Sequence, residues 1–257
     1  MYLKKEHLYE DNEPYVLKPG PEGYVPPAAA SMGIELPDPG EGLLYGKRVP
    51  EEQVMEEIAK QLLTRKNPTV FPGPLVLWAW NPHVNGKAES VMEIARAVPD
   101  CMIIPMPDYR PKYPKVDAEE AINPNHPNLT IWHNKIEVCI FVGVHCHYAN
   151  LALKMIRAGT NCLTIALCAE QGHEDAMLSI RDCDDVKLRK VAEVIKQVRN
   201  KMGIPASARP PLLGGKRDIE EELRKRKAAR HSDGRAVQDN PLAAPGQTVA
   251  PGRKAGT

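Results

Sequence analysis

Val138-Cys139-Ile140-Phe141-Val142-Gly143-Val144-His145-Cys146-His147-Tyr148-Ala149-Asn150, followed after a helical stretch by Cys162-Leu163-Thr164-Ile165-Ala166-Leu167, decides the fold of this chain. The continuous apolar run 138–144 suits a strand buried on both faces, and 163–167 repeats that signature. Two such strands joined by a helix imply a parallel sheet. In open parallel sheets small molecules bind in the crevice outside the carboxyl ends of the strands, so residues 143–148, with Gly143 followed by His-Cys-His, mark the place to look for function.

Outward from that unit the same alternation continues. Pro50 with Glu51 and Glu52 opens a helix to about residue 63, with Val54, Ile58 and Leu62 on one face. Residues 75–80 read as a strand, 81–86 as a turn, and Val91, Ile94, Ala95 and Val98 as the buried face of the next helix. Residues 102–104 read as a short strand and 129–132 as another, on either side of a proline-rich loop. Asp182 to Asp185 cap a last helix that turns Val191, Val194, Ile195 and Val198 inward. The expectation is an α/β chain with a Rossmann-like, doubly wound parallel sheet, forming a single domain over residues 50–203.

The flanks differ in composition. Residues 1–49 are interleaved with prolines and glycines, which oppose a helix or a central strand. Yet they carry five of the eight tyrosines, whereas disordered segments are poor in aromatics. The segment reads as an extended arm, with Tyr9, Tyr15 and Tyr24 as spaced anchors on a partner chain or on its own domain. Residues 204–257 read as a tail. Within it 216–230 reads as a charged, solvated helix supported by pairs one turn apart, such as Glu220 with Arg224, and the residues beyond His231 as disorder.

The formal net charge of +1 in 257 residues argues against a nucleic-acid binder driven by bulk charge. No apolar run reaches a membrane span, and the first ten residues lack the apolar core of a secretion signal, so a cytoplasmic location is expected. The six cysteines form no CxxC pair and read as reduced, core-packed thiols.

Several chemistries fit the crevice. His145 and His147, two apart at a strand end, would point to one side as paired metal ligands do, with Cys146, Cys168, His173 and His83 at neighbouring strand ends. The signal is weak, and the expected metal set is none. Gly86 and Gly143 each follow an expected strand and would let a phosphate approach backbone at a helix N-terminus. GxGxxG and the P-loop pattern are both absent. His173 with Glu174 and Asp175 reads either as an acid/base group or as a capped loop before the last helix.

Residues 140–149, with the helix 151–156, the strand 163–167 and His173-Glu174-Asp175-Ala176, resemble the small subunit of the archaeal carbon monoxide dehydrogenase/acetyl-CoA decarbonylase/synthase complex, called epsilon or the dehydrogenase beta subunit. The resemblance covers about residues 70–200. It implies a DHS-like NAD/FAD-binding fold in a non-catalytic companion to larger catalytic subunits of a ferredoxin-linked redox complex, with FAD or no cofactor. The cofactor-binding candidates are then Gly86, Gly143, His145, His147 and Tyr148, of which Gly143 and Tyr148 stand on family positions. The absence of grouped cysteine motifs independently favours a companion role, since iron–sulfur clusters usually draw their thiolates from short local motifs. Two alternatives stand beside it: an accessory subunit of a 2-oxoacid:ferredoxin oxidoreductase, and a free-standing nucleotide- or metal-binding enzyme.

Overall fold

A computed structural model describes residues 29, 33–77, 82–106, 122 and 126–214. Among them runs one sheet of eight strands in the order β2-β1-β7-β6-β5-β3-β4-β8. The strands are β1 (Glu41–Leu44), β2 (Lys47–Pro50), β3 (Thr69–Pro72), β4 (Met102–Ile103), β5 (Val138–Val142), β6 (Leu163–Leu167), β7 (Leu178–Ile180) and β8 (Leu212–Leu213). The helices are α1 (Glu51–Thr64), α2 (Pro74–Leu77), α3 (Pro82–Ala97), α4 (Pro127–Asn134), α5 (Cys146–Gly159) and α6 (Asp185–Lys201). From β7 to β8 every pairing is parallel; β1 runs antiparallel to both β2 and β7.

The side-chain period of two assigns each strand to two cores. Val138, Ile140 and Val142 of β5 pack with α1, α3 and α6 on one face of the sheet. Cys139 and Phe141 pack with α4 and α5 on the other, where the Phe141 and Phe71 rings meet edge to face at 5.3 Å between centroids. Helices therefore cover both faces, as the apolar runs of β5 and β6 require. The fold is the expected Rossmann-like, doubly wound α/β arrangement.

Several elements differ from the sequence expectation. The strand expected at 75–80 lies earlier, at β3, which is only four residues long and bracketed by Pro68 and Pro72. Pro72 ends the strand, and the next amide, that of Gly73, donates to the Val142 carbonyl at 2.9 Å. Part of the expected strand is instead α2, and 78–81 lie outside the described residues. Residues 129–132 are helical in α4: Pro127 opens the helix, Thr130 and Ile131 turn inward, and Lys135 ends it in the left-handed conformation at φ 53°. The expected turn at 81–86 is, from Pro82 on, the first part of α3.

Both expected domain boundaries also move. Residues 41–50, placed in the arm and at its border, are a β-hairpin turned by Tyr45-Gly46, both at positive φ, and β1 is an interior strand rather than a docked extension. Leu43 is fully buried in the first core. At the other end, β8 adds residues 212–213 of the expected tail to β4. Tyr9, Tyr15, Tyr24 and the charged helix 216–230 lie outside the described residues.

Candidate functional site

The sheet winds away in both directions from the junction of β3 and β5, since β3 leads on to β4 on one side and β5 to β6 on the other. Such a switch point is where doubly wound sheets place ligands. Here the gap itself is closed by the chain. The carbonyl of Gly143 accepts the amide of Leu75 at 3.0 Å, and a Cβ on Gly143 would lie 2.3 Å from Val76 Cγ2. Gly143 also sits at φ +65°. Its smallness is thus demanded by the packing of α2, whatever else approaches.

The open cleft is displaced toward β6. It has a volume of about 90 Å³ and is lined by Gly143 to Cys146 after β5 and by Cys168, Glu170 and His173 after β6. Gly143 and His145 face it, whereas Gly86, His147 and Tyr148 are not among its lining residues. Gly86 lies within α3, where a Cβ would make ordinary contact with Asp185 of α6. The five cofactor candidates are therefore not gathered around one cleft.

His145 and His147 do not share the side of a strand. The strand ends at Val142, His145 is the N-cap of α5, and Cys146 is its first residue. The two imidazole centroids stand 6.3 Å apart, and His147 lies against the Tyr148 ring at 4.3 Å. The side chain of His83 lies outside the described residues.

What the fold brings together is Cys146, Cys168 and His173, whose ligand atoms all lie within 4.8 Å of one another. Cys168 follows directly on β6 and is buried; its amide donates to Ile180 O at 3.0 Å, and its sulfur accepts the amide of Glu170 at 3.3 Å. His173 is fixed twice: its backbone amide donates to Ser179 Oγ at 2.8 Å, and its Nδ1 stands 2.7 Å from Asn150 Oδ1 on α5. A carboxamide oxygen can only accept, so Nδ1 carries the proton and Nε2 the lone pair.

Burial lowers the His173 pKa to about 4, against a smaller opposing pull from Asp175, so the ring is neutral at physiological pH. Asp175 is engaged elsewhere, in a buried pair with Arg157 at 3.1 Å, and also accepts the amide of Ala29. Residues 173–175 lie in the loop before β7 rather than directly ahead of the last helix, whose cap is Asp184. Burial, with Cys168 and Glu170 close by, raises the Cys146 thiol. All six cysteines are free, and five of them are buried, Cys146 being the exposed one. Asn150 and Ser179, which hold His173, carried no signal in the sequence.

The model of the family described as CO dehydrogenase beta subunit/acetyl-CoA synthase epsilon subunit matches residues 34–197. The chain belongs to this family. The match begins ahead of the β1–β2 hairpin and ends within α6, so the family unit includes the hairpin that composition had assigned to an arm. Every residue of the Cys146, Cys168 and His173 cluster falls inside it. Among curated proteins none matches the chain.

Proposed function

We propose that this member of the CO dehydrogenase beta/acetyl-CoA synthase epsilon family is a non-catalytic accessory subunit of a ferredoxin-linked redox complex of one-carbon and acetyl-CoA metabolism, working in the cytoplasm beside larger catalytic subunits. Family membership over 34–197 carries the reading. The distribution of thiols supports it: the one group of potential metal ligands among the described residues offers three atoms, fewer than the four thiolates of an ordinary iron–sulfur cluster. Redox metal clusters then belong to the partner. No helix among the described residues is long and apolar enough to cross a membrane.

In this reading the N-terminal arm carries the contact. Tyr9, Tyr15 and Tyr24 precede Ala29, whose amide is tied to the domain through Asp175. Tyrosines spaced along an extended segment bury large rings at low entropic cost, and interface anchors of this kind contribute more than about 1 kcal/mol each.

The test is native purification of the tagged full-length chain, with mass spectrometry of whatever remains bound. Copurifying nickel-cluster and corrinoid subunits are the expected result, and alanine at Tyr9, Tyr15 and Tyr24 together should release them. Thiamine-diphosphate subunits would instead assign the protein to a 2-oxoacid:ferredoxin oxidoreductase. A monomer holding FAD or another nucleotide would make it a free-standing binding protein and overturn the accessory role.

A further inference from the structure

We propose that Cys146, Cys168 and His173 form a binding site for a single thiophilic cation of the zinc class. The inference is independent of the accessory role, since it rests on side chains of this chain alone.

Three observations carry it. Two sulfurs and an imidazole nitrogen converge from three separate places: the first residue of α5, the end of β6 and the loop before β7. Soft thiolates with imidazole select zinc-like ions over hard cations, and a set of three protein ligands leaves one coordination position for water or a substrate atom. The same three residues line the cleft.

The surroundings are those of a ligand set. Metal-bound histidines donate their second N–H to an oxygen that fixes tautomer and ring orientation, which Asn150 Oδ1 does at Nδ1 of His173. The Glu170 amide donating to Cys168 Sγ is the contact that steadies a thiolate. A divalent ion binds the two thiols as thiolates, and their protons are released to solvent.

The experiment uses Co²⁺ as the spectroscopic probe, titrated under reducing, anaerobic conditions into the full-length protein after dialysis against chelator. The expected result is saturation at one equivalent, with the near-ultraviolet thiolate charge-transfer band and the visible bands of a tetrahedral site, both abolished by added Zn²⁺. Cys146→Ser alters an exposed residue and should leave the fold intact while reducing the charge-transfer band by about half, one of two thiolates being lost. Cys168→Ser should act alike, and Asn150→Ala should weaken Co²⁺ binding by about 10–100-fold with the ligand count unchanged. His147→Ala should change nothing. Absence of a charge-transfer band in the wild type, or a band unaffected by Cys146→Ser, would overturn the site. So would loss of binding with His147→Ala.

Discussion

The guanidinium of Arg157, in the last turn of α5, stands 3.1 Å from Asp175 Oδ1 with both side chains almost fully buried. The same carboxylate oxygen accepts the amide of Ala29, so one ion pair joins α5, the loop carrying His173 and the segment entering the domain. Arg157 Nε has no hydrogen-bond partner among the described residues, where Asp175 is the carboxylate that pairs with the guanidinium. Asp175→Ala should therefore destabilise the protein by about 3–5 kcal/mol, by leaving a buried charge uncompensated. Arg157→Leu combined with Asp175→Leu should recover much of that loss. Urea unfolding of Asp175→Ala, of the double variant and of its two single Leu variants measures both, and additivity of the single Leu losses would disprove the coupling.

Gly143→Ala should destabilise by about 1–3 kcal/mol, because a side chain at φ +65° is strained and its Cβ meets Val76. A Gly143→Val variant is for the same reason no clean test of phosphate binding. Combining Gly143→Ala with Val76→Ala should relieve the steric part and leave the backbone part, read as a partial recovery of melting temperature.

Asp184 caps α6, its Oδ1 accepting the amide of Lys187 at 2.7 Å. Asp184→Ala should cost about 0.5–2 kcal/mol, and Asp184→Asn a few tenths. Chemical denaturation resolves the two, and equal losses would show that the charge matters more than the cap.

Burial, with the Glu57 carboxylate next, raises the Tyr45 hydroxyl to about 12. The unfolded chain releases this proton near pH 10 while the folded chain retains it. The unfolded state therefore binds fewer protons between these values, so stability present below about pH 10 falls as pH rises toward 12. Between about pH 9 and about pH 11 the wild type should lose more stability in urea than Tyr45→Phe does. Identical losses would mean that Tyr45 ionises as freely folded as unfolded.

The long periodic elements were legible in the sequence because burial on one face or two leaves a pattern: α1 and α6 with their stripes, β5 and β6 with their unbroken apolar runs. The elements read wrongly had local signals that opposed their environment. Thr69-Val70-Phe71 is short and bracketed by prolines, so the longer run after it looked like the better strand. Leu129-Thr130-Ile131-Trp132 has strand propensity, yet Pro127 starts a helix that half-buries it. Pro37, Pro39 and Pro50 made the approach to β1 look extended, although Tyr45-Gly46 is a good hairpin turn.

The location of the cleft was legible from the strand ends, and its membership was not. Spacing of two suggested pairing His145 with His147, but beginning α5 at Cys146 turns those residues through a helical period and sends Cys146 toward Cys168 instead. The supports of His173, Asn150 and Ser179, are 23 and 6 residues away in sequence, on elements whose relative placement no local pattern encodes.

The position of β1 between β2 and β7 sets a clock on the ribosome. Leu44 must wait for Leu178, about 130 residues later, before its antiparallel partner exists. At bacterial-type synthesis speeds that interval is roughly 7 to 27 s. During it the β1 edge of the hairpin is open as well as the β2 edge, and Leu43 has no sheet neighbour on the β1 side. A nascent chain in this state is open to strand pairing with another copy, so assembly with a chaperone or with a partner subunit before residue 180 emerges would govern the yield of folded protein.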